Sequence, residues 1–355
     1  LEKTPKLKEA VAALLPYVKS KAESKEEKDD FKPQGVANLL WAVAKLVENG
    51  LKLEKTPKLK EAVAALLPYV KSKAESKEEK DDFKPQGVAN LLWALAKLVD
   101  NGLELEKTPK IKEVVAALLS HVKTKAESKE EKDHFNTQAT ANLLWALAKL
   151  VDYGLELKKT AQLKEALAAL LPNVKSKAES KEKKGRLNAQ AIVNLLWAVA
   201  KLVDNGLELE KTPKLKEVVV ALLPYVTTNA ESKEEKDHFK PQEVANLLWA
   251  VAKLMGNGLE LEKTAKLKEA LAALLYHVKT KAESKEERSQ FNTQGTVNLL
   301  WAVAKLGEAI EPNLIKFTFD FLVDRISKNP QLSQKDINVS LGSHGILCQS
   351  LSGLR

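Results

Sequence analysis

Six tryptophans stand at Trp41, Trp93, Trp145, Trp197, Trp249 and Trp301, each 52 residues after the one before. A constant spacing of this length is the mark of a tandem array, in which each unit buries its apolar face on its neighbours. The phrase LEKTP opens at Leu1, Leu53, Leu105 and Leu209, with near copies at Leu157 and Leu261. Length alone suggests about two or three ordinary domains. An array removes that limit, because it grows by adding units.

Every unit follows one plan. Thr4 suits a helix N-cap and Pro5 the first helical turn. Helix A follows as PKLKEAVAALLPYVKS, with Leu7, Val11, Leu14, Leu15 and Val18 at helical spacing. Pro16 interrupts that pattern and is expected to kink or end the helix, although Ser120 and Tyr276 replace it in other units. The charged stretch KAESKEEKDD comes next, as an extension of helix A or, the preferred expectation, a surface loop. Helix B begins near Pro33 and reads QGVANLLWAVAKLVEN, and Gly50 supplies a left-handed C-terminal cap. Gly102, Gly154, Gly206 and Gly258 repeat that cap, and the short connections predict antiparallel neighbours. No stretch alternates as a strand would.

The expected fold is all-α: a right-handed-type α-solenoid of six 52-residue helix-pair repeats over residues 1–306. The repeats run 1–52, 53–104, 105–156, 157–208, 209–260 and 261–306, and residues 307–355 form a divergent C-terminal capping repeat. In that last unit Gly307 to Pro312 shortens the connection, and helix A carries Phe317, Phe319 and Phe321. The stretch LSQKDINVSLGS from Leu332 is a decayed copy of FKPQGVANLLWA from Phe31, with Gly342 where the tryptophan belongs. Loss of the signature is what a capping unit shows. Leu1 lies inside a repeat with no matching cap, so the expectation is a fragment or processed product, with any upstream targeting segment out of view.

Composition narrows the function classes. Leu, Ala, Lys and Glu dominate, as long helices require. With 57 basic and 48 acidic residues the net charge is +9, which permits a polyanionic partner without demanding one. Cys348 is the single cysteine, so no internal disulfide can form, and the expected compartment is intracellular and reducing, with a secreted effector as the alternative. No apolar run approaches about 18 residues, so no membrane insertion is expected. The histidines His121, His134, His238, His277 and His344 show no metal-ligand pairing, and neither a nucleophile elbow nor a phosphate-binding glycine loop is present. No cofactor and no enzymatic activity are expected.

On a helical wheel of about 100° per residue, Val36, Leu39, Leu40, Val43 and Val47 form the core side of helix B. Gln34, Asn38, Trp41 and Lys45 fall opposite, within roughly a 60° arc. The quartet recurs as Gln86, Asn90, Trp93 and Lys97; as Gln138, Asn142, Trp145 and Lys149; and as Gln190, Asn194, Trp197 and Lys201. It closes as Gln242, Asn246, Trp249 and Lys253, and as Gln294, Asn298, Trp301 and Lys305. A core explains recurring apolar residues, but not a polar and indole stripe on the far side. Stacked units would align it into a ligand-binding ladder of stacking indoles, pairing amides and lysines for phosphate or carboxylate. The competing reading is structural: Trp41 lies beside the small Ala37 and Ala44 and wedges between units, while Asn38 bonds a neighbouring backbone.

Some positions vary inside the constant frame. The residue before the helix-B phenylalanine or leucine is Asp30, Asp82, His134, Arg186, His238 or Gln290. Helix B opens with Lys-Pro in three units and with Asn136-Thr137, Asn188-Ala189 and Asn292-Thr293 in the others. After the glutamine stand Gly35, Gly87, Ala139, Ala191, Glu243 and Gly295. Variation near a helix N-terminus is how a modular recognition code is written, and drift at exposed positions produces the same pattern.

The block FNTQATANLLWALAKL at Phe135, with FKPQEVANLLWAVAKL at Phe239, resembles the octotricopeptide repeat family and related bacterial repeats of unknown function. The likeness covers helix B, about 16 of each 52 residues. It implies a helix-pair solenoid that binds RNA in organelles. This unit is longer than the family's, through its charged segment. A second resemblance is to armadillo repeats, whose tryptophan and asparagine line a groove for extended peptides; here Lys45 follows Trp41 where the asparagine would stand. HEAT-like bacterial effectors are also similar. The leading expectation is a non-enzymatic scaffold for single-stranded RNA along the Gln, Asn, Trp and Lys stripe. The alternative is an armadillo-like scaffold for peptide or protein.

Overall fold

The structure is a computed structural model. It describes residues 5–24, 31–53, 56–76, 78, 82–104, 110–128, 130, 134–156, 161–179, 188–208, 214–232, 239–261, 264–283, 291–327 and 342. Among these residues the chain forms thirteen α-helices and no strand. The helix pairs are α1 (Pro5–Glu23) with α2 (Pro33–Glu48), α3 (Pro57–Glu75) with α4 (Pro85–Asp100), and α5 (Lys110–Glu127) with α6 (Thr137–Asp152). They continue as α7 (Ala161–Glu179) with α8 (Ala189–Asp204), α9 (Lys214–Glu231) with α10 (Pro241–Gly256), and α11 (Ala265–Glu283) with α12 (Thr293–Leu306). A short 3-10 turn at Gly307–Ala309 leads into α13 (Pro312–Ser327).

The chain divides into two compact units, Leu1–Val174 and Lys175–Arg355. In the first, α2 packs on α4 and α4 on α6, while α1 packs on α3 and α3 on α5. Helix B also meets the helix A that follows it, α2 on α3 and α4 on α5. In the second, α8 packs on α10, α10 on α12 and α9 on α11, and α13 packs on both α11 and α12. Each unit is therefore two layers of like helices, the organisation of an α-solenoid of helix pairs.

The glycines explain how helix B turns into the next helix A. Gly50 has φ 98° and Gly102 φ 97°, in the left-handed region that a Cβ disfavours. Leu51 N–H donates to the Leu46 carbonyl at 3.0 Å and Gly50 N–H to the Val47 carbonyl at 3.0 Å, the two bonds of a Schellman motif. Leu51, Leu103, Leu155, Leu207 and Leu259, each just past its glycine, are buried and pin the turn to the core.

Three details differ from expectation. Pro16, Pro68, Pro172 and Pro224 lie inside α1, α3, α7 and α9, and none ends its helix. An interior proline costs about 3 kcal/mol. Pro68 faces solvent, and burial of Leu59, Leu66, Leu67 and Val70 on both sides of it outweighs that loss. The Lys-Ala-Glu head of the charged stretch therefore extends helix A. Thr4 lies outside the described residues, but Thr56 and Thr264 occupy its place without capping. Their hydroxyls donate backwards, to the carbonyls of Lys52 at 2.9 Å and Leu261 at 2.8 Å. The decayed helix B from Leu332 also lies outside the described residues.

Val36, Leu40, Val43 and Val47 are buried as expected, as are Leu91, Leu143, Leu195, Leu247 and Leu299. Leu39 is only half-buried, because α2 has a helix-B neighbour on one side alone. For the same reason Leu14 is 61% exposed while its equivalent Leu66 is 1% exposed.

The phenylalanines before helix B carry a connection that spacing does not reveal. Phe83, Phe135, Phe239 and Phe291 are among the largest fully buried side chains. A polar residue of the next helix A reaches the carbonyl of several of these phenylalanines. His121 Nε2 lies 2.9 Å from the Phe83 carbonyl and His277 Nε2 2.9 Å from that of Phe239. Tyr69 donates its hydroxyl to the Phe31 carbonyl, and Arg325 donates to the Phe291 carbonyl at 2.6 and 3.0 Å. Tyrosine, histidine and arginine thus do one job, which accounts for the variation at this position. Asn173 is the short member, and its Nδ2 is buried without a hydrogen-bond partner. Asn173→His supplies the reach of His121 and His277 and removes the orphaned donor. The expected gain is about 1 kcal/mol, read as a rise in denaturation midpoint; an unchanged or lower midpoint would show that the carbonyl is out of reach.

Candidate functional site

Helix B presents its quartet on a solvent-accessible face in every repeat. Gln34, Asn38 and Trp41 are exposed, and of their later counterparts the asparagines and tryptophans are half-buried. The lysines Lys45, Lys97, Lys149, Lys201 and Lys253 are half-buried and Lys305 is exposed. The neighbouring Ala37 and Ala44 are fully buried, so helix B turns its small residues to the adjacent helix and its long ones outward. Each compact unit carries three quartets: Trp41, Trp93 and Trp145 in the first, Trp197, Trp249 and Trp301 in the second.

The amides are not independent. Gln34 Nε2 donates to Asn38 Oδ1 at 2.8 Å, Gln86 to Asn90 at 2.9 Å and Gln138 to Asn142 at 2.8 Å. In the second unit Gln242 donates to Asn246 at 3.2 Å and Gln294 to Asn298 at 2.9 Å. The pairing lies within one helix, at a spacing of four residues that places side chains one above the other. Asn38 therefore bonds its own helix partner and not a neighbouring backbone.

The lysines and indoles interleave. Lys45 Nζ lies 5.8 Å from the Trp41 ring centroid and 4.6 Å from that of Trp93. Lys97 lies 5.6 Å from Trp93 and 5.0 Å from Trp145. In the second unit Lys201 lies 5.8 Å from Trp197 and 5.3 Å from Trp249, and Lys253 lies 5.7 Å from Trp249 and 5.2 Å from Trp301. These separations are within cation–π range. Trp41 and Trp93 stand 6.4 Å apart, tilted by 36°.

Acids that the wheel did not single out hold the same lysines. Lys45 and Lys97 reach the two carboxylate oxygens of Glu48, at 2.8 and 2.7 Å. Lys149 lies 3.7 Å from Asp100, and Lys253 lies 2.9 Å from Asp204. Burial pushes the Glu48 carboxyl up, but the hydrogen bonds from Lys45 and Lys97 outweigh it and hold the group below its ordinary value. At the end of α6, Tyr153 stands where Asn49 or Asn101 caps other helices. It donates its hydroxyl to Asp100, and that bond, with burial, pushes the phenol up to about 12. Lys149 lies 5.8 Å from the Tyr153 ring. The signal for these acids was present as the Val-Glu-Asn and Val-Asp-Asn endings of helix B: Glu48, Asp100 and Asp204 each reach the lysine of the following repeat, and Glu48 also reaches Lys45 on its own helix.

The variable helix-B openings have structural accounts. Lys-Pro openings place proline in the first helical turn, where its missing N–H is no loss. The asparagine openings cap instead: Asn136, Asn188 and Asn292 accept from the N–H of Ala139, Ala191 and Gly295 at 2.7, 2.8 and 2.7 Å. A second ladder lies on helix A, where Lys19 meets Glu61 at 3.1 Å, Lys71 meets Glu113 at 2.7 Å and Lys123 meets Glu165 at 3.1 Å. Among the described residues no group of three or more His, Cys, Asp or Glu is placed to hold a metal ion. No helix there is long and apolar enough to cross a membrane.

A family described as a protein of unknown function (DUF1601) has a model that matches residues 29–40, 81–92 and 237–248. These stretches cover the start of helix B in three repeats, with Gln34 and Asn38, Gln86 and Asn90, and Gln242 and Asn246 inside them. The chain is a helical repeat protein. No curated protein matches it. The family's description assigns no activity, so the stripe has to be read from its own geometry.

Proposed function

We propose that the chain is a non-enzymatic repeat scaffold that binds an extended peptide segment of a partner protein along the helix-B ladder. The carrying observation is the state of the stripe lysines. Lys45, Lys97, Lys149 and Lys253 already have carboxylates at 2.7–3.7 Å and lie against indoles. A phosphate would have to compete with those acids in front of a low-dielectric ring face. What is left for a ligand is a row of amide donors and half-covered indoles with little net charge. That chemistry suits a peptide backbone, whose carbonyls accept hydrogen bonds and whose side chains pack on aromatic faces. Adjacent packed helices sit about 8–10 Å apart, a span that an extended chain covers in about three residues. The armadillo resemblance supports the same reading.

Single-stranded RNA is the second reading, favoured by the net charge of +9 and by the octotricopeptide resemblance. Its bases would have to compete with the stripe lysines for the indole faces, since Lys45 Nζ already lies 5.8 Å from the Trp41 ring and 4.6 Å from the Trp93 ring. The two readings separate on salt and on lysine. A randomised peptide pool and a randomised RNA pool are each offered to the protein at two salt concentrations. The peptide reading expects peptides to be captured at both, and the variant Lys45→Ala/Lys97→Ala/Lys149→Ala to change their affinity by no more than about threefold. Capture of RNA alone would sink it, with the salt slope of the triple variant falling by about 0.7 for each phosphate no longer neutralised.

A further inference from the structure

The stripe glutamine stands between two helices, and its two amide atoms face different partners. Nε2 donates to the asparagine of its own helix, as described. Oε1 turns to the next helix B. A Cβ built on Gly87 would lie 3.7 Å from Gln34 Oε1, and one built on Gly295 would lie 2.9 Å from Gln242 Oε1. Gly87 and Gly295 lie in the first turns of α4 and α12, where the aligned peptide dipoles make the helix end positive, and at α12 Asn292 Oδ1 already accepts the Gly295 N–H at 2.7 Å. Gln242 Oε1 is buried without a hydrogen-bond donor and lies against this helix end, where the Gly295 Cβ point is also 3.1 Å from Asn292 Oδ1. At Gln34 and Gln242 the next helix B thus lies against the oxygen while the nitrogen turns to the asparagine. This contact also accounts for glycine at positions 87 and 295, since a side chain there would press on that oxygen.

One repeat breaks the pattern and tests the cause. Among the described residues, Gln190 and Asn194 carry no such bond. Glu243 occupies the first turn of the next helix B there, and its carboxylate accepts from the Lys240 N–H at 2.7 Å. A negative group at that spot removes the attraction for a glutamine oxygen.

We propose that the stripe glutamine is a positioning residue that fixes the asparagine amide with its oxygen held and its Nδ2 donors free for ligand. The asparagine oxygen is spent on the glutamine. Among the described residues, the Nδ2 atoms of Asn38, Asn90, Asn142, Asn246 and Asn298 are neither buried nor hydrogen-bonded. The ladder then offers donors and not acceptors at these five positions, and selects ligand acceptors such as peptide carbonyls. This last step rests on the peptide-binding reading, whereas the orientation of the amides does not.

The test begins without ligand, on the full chain. Asn90→Asp keeps an oxygen where Gln86 donates, and Asn194→Asp does so beside a glutamine that makes no such bond. Carboxyl titration by carbon-13 NMR should place the new group of the Asn90→Asp variant below the ordinary aspartate value of about 3.9. It should lie about one pH unit under that of Asn194→Asp. Adding Gln86→Ala to Asn90→Asp should erase the difference. Equal titration of the two single variants, or a raised value for Asn90→Asp, overturns the proposal, because an oxygen facing the glutamine oxygen would be repelled. The ligand arm uses peptides captured from the randomised pool. Gln86→Glu can only accept, so it turns the Asn90 oxygen outward and should weaken those peptides about fivefold with the melting point kept. Unchanged peptide affinity overturns the ligand step. If the titrations behave as expected and no peptide is captured, the positioning role stands and the peptide-binding reading falls.

Discussion

Replacing Leu92 by alanine is expected to cost about 2–5 kcal/mol, the range for large-to-small changes that leave a cavity in a packed core. Leu92 is fully buried on α4, flanked by the equally buried Leu91 and Leu95, and α4 packs on both α2 and α6. Neither neighbour can move into the void without giving up its own packing. The same substitution at Leu39 should cost clearly less, because that side chain is half-buried and removes less apolar surface from water. Denaturant unfolding of the two variants beside the parent measures both. A loss at Leu92 within the roughly 0.5 kcal/mol of ordinary surface changes would mean that the core lies on another face of helix B.

The triple variant Asn38→Ala/Asn90→Ala/Asn142→Ala should lower peptide affinity by about 100-fold. Each asparagine would lose a ligand hydrogen bond with a net worth of about 0.5–1.5 kcal/mol, and sites on separate helices add. Stability should change little, because the bonds removed, from Gln34, Gln86 and Gln138, are solvent-exposed or only partly buried. Fluorescence anisotropy with a peptide captured from the randomised pool gives the affinity, and circular dichroism confirms that the variant is folded. Retained affinity in a folded triple variant would remove the amides from the binding surface and leave the indoles as its only anchors.

Much of the architecture is legible in the order of the residues. The tryptophan period, the Val36 to Val47 apolar face and the glycines after helix B each encode a local rule, and local rules do not need distant partners. The quartet is legible for the same reason, since four residues on one arc of one helix follow from helical geometry. Pro16 does not end its helix, because its cost is local while its compensation is tertiary: Leu15 and Val18 hold the helix together once they are buried. The LEKTP threonine does not cap because a hydroxyl that can bond forward can equally bond back, and the turn before it decides.

The repeat, its helix pairs and the identity of the outward stripe are encoded locally, because they depend on spacing within about one helix turn or on a fixed period. The chemical state of that stripe comes from packing between repeats. Lys253 meets Asp204 across 49 residues of chain, and His277 meets the Phe239 carbonyl across 38. Such partners come together only when one repeat is stacked on the next, so a lysine that looks like a free cation on the helical wheel is a neutralised one in the fold. The contacts of Gln34 and Gln242 have the same origin: each glutamine pairs with an asparagine four residues on, but its oxygen meets the first turn of a neighbouring helix.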